Sequence, residues 1–270
     1  MRTGRQRWGK INLCLALVVS AVVGAAAQSA GAGDARGRER GAELIRQAAE
    51  ARGGARYLAF KTLVTTGQFT PFDKGVPTVP LAFVDYIVYP EKERTEFGKG
   101  KRKDRRIQVN VGATGWVYDG NVQTLKDQNE QQTREFVENL EHDLDRLLRG
   151  GAGEAGVEAR HVGREETRPG ERADVVAIRL KSGRQVSLML DSSTHLPMSL
   201  SYERTDDQGL SRYELRYFQY VAYGGVKFPN IVDFYRDGVQ TARINVENIE
   251  LDAPVDEALF AKPAGVKAVK

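Results

Sequence analysis

Cysteine occurs once in the chain, at Cys14, and histidine only at His142, His161 and His195. Without a second cysteine there is no internal disulfide, and without a cysteine beyond position 14 the rest of the chain has no thiolate nucleophile or thiolate metal ligand. A zinc site normally takes three or four N, S or O ligands, and no two of the histidines stand three or four residues apart, so no metal is expected. Serine elbows of the form GxSxG, SxxK pairs, GxGxxG turns and GxxxxGK[ST] loops are all missing. The nearest glycine cluster, Gly98-Lys99-Gly100-Lys101, has neither phosphate-loop spacing nor a following helix. Carboxylate pairs such as Asp206-Asp207 sit in turn contexts, where Asp is favoured for local hydrogen bonds. No catalytic residue and no cofactor is expected, and no apolar run beyond Ala27 approaches membrane-spanning length.

What the N-terminus does contain is directional. Arg2, Arg5, Arg7 and Lys10 come with no acid, the apolar stretch Ile11 to Ala27 follows, and Ala25-Ala26-Ala27 precedes Gln28. This is the layout of a cleavable secretory signal over residues 1–27, which predicts an exported, periplasmic protein. Cys14 lies inside the apolar stretch, away from the cleavage point, so an N-terminal lipid anchor is not expected. Four of the 40 basic residues go with the signal, leaving 36 against 36 acidic ones. The sequence pI near 9.1 is therefore largely a property of the segment removed, and nucleic acid is not an expected partner.

Residues 28–40, rich in Gly, Ala, Arg and Ser without apolar period, read as a flexible leader. Ala42 to Arg52 places Leu44, Ile45, Ala48 and Ala49 at helical spacing, with Gly53-Gly54 suited to the C-terminus. The period then changes to two. Stretches at Tyr57–Phe69, Val79–Tyr89, Arg94–Phe97, Arg106–Val111 and Trp116–Tyr118 are cut by turn residues, as an antiparallel meander requires. Asn129–Arg149 interrupts with one apolar stripe of a long helix, Phe136, Val137, Leu140, Leu144, Leu147 and Leu148, with His142 on its polar side. Strand patterns return at Asp174–Leu180, Gln185–Asp191, Leu196–Glu203, Ser211–Tyr223, Val226–Arg236 and Val239–Leu251, the last three separated by Gly224-Gly225 and Asp237-Gly238. Pro254 to Phe260 reads as a closing helical turn and residues 263–270 as a frayed tail. The sum predicts a mainly β, α+β architecture: one domain over residues 41–262, a strongly curved antiparallel sheet or half-barrel of about 10–11 strands. Helices are expected to cover its concave face.

A curved sheet leaves a concavity, and an apolar concavity suits a hydrophobic ligand. Its candidate lining is Phe83, Ile87, Trp116, Leu188, Leu190, Met198, Leu200, Tyr202 and Phe234. The helix stripe Phe136, Leu140, Leu144 and Leu147 is the candidate lid, with Gly150, Gly151, Gly153 and Gly156 as its hinge. The segment KGKRKDRR holds six basic residues, Lys99, Lys101, Arg102, Lys103, Arg105 and Arg106, a candidate contact for an anionic membrane surface or an envelope protein.

Four stretches in order, AELIRQAAEARGGARYLAFKTLVTTGQF, LMLDSSTHLPMSLSY, YGGVKFPNIVDFYRDG and INVENIELDAPVDEALFAKP, resemble the LolA/LolB-like outer-membrane lipoprotein-sorting superfamily and its periplasmic relatives. The resemblance covers both ends and the second half; Thr70 to Val79 and the basic loop have no counterpart in it. It implies a half-barrel of about eleven strands wrapped around helices, with an apolar cavity for acyl chains. It also implies a soluble, non-catalytic carrier of lipid or lipoprotein acyl chains. The alternative is an envelope accessory module that holds a protein partner on the same curved sheet.

Overall fold

The computed structural model describes residues 20–101, 105–206 and 209–268. Helix α1 spans Ser20–Arg52 and passes through the expected cleavage junction without a break. The described residues up to Arg36 form one unit and those from Gly37 onward the other, and everything that follows lies within the second.

The leader expected over residues 28–40 is helical instead. Within the second unit the reason is contact: Arg38 Nη1 lies 3.1 Å from Glu158 Oε1, and Gly41 sits so close to strand backbone that a Cβ there would come within 2.6 Å of the Ala159 carbonyl oxygen. The helix ends as its sequence dictates, at Gly53 with φ 142°. The next turn, α2 (Gly54–Ala59), takes Tyr57, which the period-two reading had assigned to the first strand.

From there the chain builds one antiparallel ladder. Its first half comprises β1 (Thr62–Asp73), β2 (Val76–Pro77), β3 (Leu81–Val88), β4 (Lys92–Phe97), β5 (Arg106–Val111), β6 (Thr114–Asp119) and β7 (Thr124–Asp127). Two helices, α3 (Glu130–Glu141) and α4 (Leu144–Leu148), come between the halves. The second half comprises β8 (Glu158–Arg168), β9 (Glu171–Arg179), β10 (Gln185–Asp191), β11 (Pro197–Asp206), β12 (Gly209–Tyr223), β13 (Val226–Arg236) and β14 (Val239–Leu251). A short β15 (Lys267–Ala268) closes the described chain by pairing parallel with β7, in what was expected to be a frayed tail. The sheet order is β15-β7-β6-β5-β4-β3-β1-β14-β13-β12-β11-β10-β9-β8, with β2 paired to β1 alone. The sheet is open and curled, a half-barrel with more strands than the 10–11 expected. The difference is made by short pieces and by β8, whose EARHVGREETR carries six charges and shows no apolar alternation because it is an edge strand.

Two separate cores sit on opposite faces of this sheet. On the concave side of the second half, Val176, Ile178, Val186, Leu188, Leu190 and Leu200 pack with Leu44, Ala48, Tyr57 and Phe60 and with Leu144, Leu147 and Leu148 of α4. In the first half, Ile107, Val109, Trp116, Tyr118 and Leu125 pack with Phe260. Since Val109 pairs with Trp116 while Asn110 pairs with Gly115, side-chain alternation puts this second cluster on the face turned away from the concavity.

The concave core is pinned by one buried ion pair. Arg52, 1% exposed, lies 3.0 Å from Asp145 Oδ1 and donates from Nε to the Lys227 carbonyl at 2.6 Å. The same carboxylate accepts from the Tyr57 hydroxyl at 2.8 Å and the Tyr89 hydroxyl at 3.1 Å. The guanidinium also faces the Tyr57 and Phe228 rings, 4.7 and 4.9 Å from their centroids.

Replacing Arg52 with Met is expected to cost about 3–5 kcal/mol, because a carboxylate is left uncompensated among apolar groups. Arg46→Met, in the solvent-facing pair with Glu43 at 2.7 Å, should cost less than about 0.5 kcal/mol. Urea unfolding followed by circular dichroism checks both.

Candidate functional site

The long helix expected over Asn129–Arg149 is two. Asn129 caps α3 in a capping box with Gln132, the helix ends at His142, and Asp143 starts α4 by accepting from the Arg146 amide at 2.8 Å. The break divides the apolar stripe. Leu144 and Leu147 turn into the concave core, while Phe136 and Leu140 of α3 face a groove of about 1390 Å³ between the helices and the sheet. Helix α3 is tied at its edge by polar contacts: Glu138 lies 2.8 Å from Arg184 and Glu141 accepts from Ser182 at 2.8 Å.

The groove is amphipathic. Leu215, Phe234 and Ile244 from the centre of the sheet, with Ile87 and Tyr202, give it an apolar wall facing Phe136 and Leu140. The register explains the line-up: Leu215 pairs with Phe234, and Ile244 is the partner of Val232. At the other side the wall is polar, formed by Glu93, Gln108, Asn110, Gln128 and Asp143. This follows from the inversion of the first half-sheet, where the apolar members of β5 and β6 face outward and Gln108 and Asn110 face in.

Of the residues expected to line an apolar cavity, Ile87, Tyr202 and Phe234 line the groove, with Phe136 and Leu140 opposite. Leu188, Leu190 and Leu200 are within 1% of full burial and belong to the solid core. Trp116 lies on the far face, its Nε1 donating to the Phe260 carbonyl at 3.1 Å. Phe83 is buried at the β1 irregularity beside Gly67. Met198 sits where the β10–β11 register shifts, off the groove. Leu58, Leu215, Ile244 and the polar wall escaped the sequence reading. The signal for the wall was there, in the polar members Gln108 and Asn110 of an otherwise apolar strand.

In the basic segment, Arg105 pairs with Glu96 and donates from Nε to the Gly100 carbonyl at 3.0 Å; Lys99, Lys101 and Arg106 are exposed, and Arg102 and Lys103 lie outside the described residues. His142 is not on a polar face: it is 5% exposed and stacked on Tyr202 at 3.8 Å between centroids. Burial, with Arg184 and Arg204 nearby, lowers its pKa to about 4, so it is uncharged at neutral pH. His161 instead meets Asp174 at 3.0 Å. Among the described residues no three His, Cys, Asp or Glu side chains are grouped to hold a metal ion, and no helix is long and apolar enough to cross a membrane.

Glu93 and Asp143 line the polar wall, and Asp85 neighbours Glu93 through Thr95. Thr95 donates to Asp85 at 2.8 Å and stands 3.5 Å from Glu93. Burial, then the Asp85 charge, pushes Glu93 up to about 8; burial also raises Asp85. Burial and the Asp145 charge raise Asp143; both Asp143 and the half-buried Glu93 line the groove, so water tempers both shifts, more at the exposed Asp143.

No family model and no curated protein sequence matches the chain. Solved structures do. A DUF1329 family protein from Desulfovibrio piger superposes with a TM-score of 0.58 at 12% identity, over 83% of this chain and 97% of that one. A LolA superfamily protein from Nitrosomonas europaea gives 0.54 at 11% identity, over 82% and 97%. A domain described as an outer membrane lipoprotein-sorting protein, from Vibrio parahaemolyticus, gives 0.55 at 15% identity, over 83% and 97%. The fold is LolA/LolB-like.

A carboxyl group whose pKa is higher folded than unfolded stabilises the fold while protonated and loses that contribution as pH rises through the folded value. Glu93 should therefore make the protein less stable at pH 8.5 than at pH 6. Glu93→Gln should flatten the decline, as read from urea midpoints at the two pH values. His142, lowered, works the opposite way and only below about pH 6.5, its unfolded value.

Proposed function

We propose that this LolA-like half-barrel is a non-catalytic periplasmic carrier for lipid or lipoprotein acyl chains. The observation that carries the reading is the amphipathic groove under α3. The apolar wall of Ile87, Leu215, Phe234 and Ile244, faced by Phe136 and Leu140, suits a hydrocarbon chain. The polar wall of Glu93, Gln108, Asn110 and Asp143 suits the polar end of the same molecule.

Energetics favour such a division. Each buried methylene contributes about 0.8 kcal/mol, whereas a buried polar group without a partner costs about 1–3 kcal/mol, so a molecule apolar throughout would leave the polar wall unpaired. A carrier must also let go. Helix α3 fits that need: Phe136 is its one buried residue, it is tied to the sheet by the polar Arg184 and Ser182 contacts and by the stack of its C-cap His142 on Tyr202, and the break at His142-Asp143 separates it from α4, which is fixed in the core. The likeness to LolA superfamily structures supports the same reading at the level of the fold. The signal-like N-terminus supports the compartment.

Protein purified from a bacterial periplasm should release a near-stoichiometric lipid or acylated peptide, seen by native mass spectrometry. A double Leu215→Asp, Ile244→Asp variant that keeps its circular dichroism spectrum should bind a fluorescent fatty acid about tenfold more weakly or worse, since two charges replace apolar wall. A lipid-free protein that takes up no fatty acid would turn the reading toward a module that holds a protein partner.

A further inference from the structure

Outside the groove, one rim of the sheet has an unusual surface. Strands β1, β4, β6, β11 and β13 all run toward the same end of the ladder, and β3, β5, β7, β12 and β14 start from it. The turns there carry exposed aliphatic side chains: Val76, Val79 and Leu81 between β1 and β3, Val122 between β6 and β7, Leu210 at the start of β12 and Val239 at the start of β14. Their exposures run from 43% at Leu81 to 77% at Val79. Six of the ten exposed large hydrophobics among the described residues thus lie on this one rim. Gly75 brings two of the turns together, since a Cβ there would stand 3.7 Å from Val239 Cγ1.

The same rim is basic. Lys74 belongs to the β1–β3 connection, and exposed Lys99, Lys101 and Arg106 flank the β4–β5 connection directly beside Leu81. Among the described acids nearby, Glu96 is paired with Arg94 and Arg105 and Asp237 lies 3.8 Å from Arg236, while Asp73 and Asp119 stand as acids among the bases.

We propose that this rim docks on a bilayer bearing anionic head groups, with the aliphatic turns entering the interface and the lysines and Arg106 at head-group level. A protein interface characteristically buries aromatic anchors in a packed patch. This rim has Val and Leu tips on four of the five turns of ten neighbouring strands, and no aromatic is among the exposed large hydrophobics of the described residues. Shallow, separate aliphatic insertion backed by cationic side chains is what an interface of lipid head groups accepts. The proposal is independent of the groove and of what the groove carries.

The test is flotation of the full chain with vesicles of phosphatidylcholine alone or mixed with phosphatidylglycerol. The wild-type protein is expected to float with the mixed vesicles and to be released by added salt. A Val76→Asp, Val79→Asp variant and a Lys99→Glu, Lys101→Glu variant should each lose about tenfold or more in binding. Val221→Asp, at an exposed valine on the opposite end of β12, should bind as wild type. Failure of the wild type to float, or equal losses for the rim variants and Val221→Asp with all circular dichroism spectra unchanged, would overturn the proposal. So would rim-dependent capture of a protein with no vesicle binding.

Discussion

The concave half of this molecule is organised around a carboxylate in the wrong place. Asp145 belongs to a five-residue helix whose other neighbours, Leu144, Leu147 and Leu148, face the core. Two phenols and a fully buried guanidinium satisfy it, and these groups come from α1, α2, the end of β3 and α4. Through the Lys227 carbonyl, Arg52 adds the start of β13. Elements far apart in sequence therefore meet at one charge pair, whose cost of desolvation is offset only while every partner stays in place. With α4 locked this way, α3 is left to cover the groove, held by two polar contacts and the stack of His142 on Tyr202.

The groove inherits its character from which face of each strand is apolar. In the second half of the sheet the apolar face is concave and supports the helices; in the first half β5 and β6 turn theirs outward onto Phe260. The concavity thus runs from a solid core, past a half-exposed strip of Leu215, Phe234 and Ile244, to a wall of amides and carboxylates. A uniform oily cavity is not what the chain builds. Of that wall Asn110 is buried, Glu93, Gln108 and Gln128 are half-buried and Asp143 is exposed, so a ligand's polar end would meet amides and carboxyl groups that water also reaches.

The sequence revealed the architecture well where physics is local. Gly224-Gly225 and Asp237-Gly238 set the hairpins of β12 to β14, alternation set β10, and Gly53 set the end of α1. It revealed the site only in part. Leu188, Leu190 and Leu200 have the same alternation as Leu215 and Phe234, and only tertiary packing decides which are filled by α1 and α4 and which stay open. Trp116 lies on the outer face because the parity of β5 and β6 is inverted, a fact that no single strand's pattern can show. Asn129–Arg149 looked continuous because its heptad-like stripe crosses Asp143, whose helix-capping role depends on the local chain direction.

Methyl NMR would probe the division between groove and core most directly. On titration with a fatty acid, the methyl resonances of Ile87, Leu140, Leu215 and Ile244 should shift together, while those of Leu188, Leu190 and Leu200 hold still. Shifts confined to the core leucines, or none at all, would contradict the assignment of the groove as the ligand site.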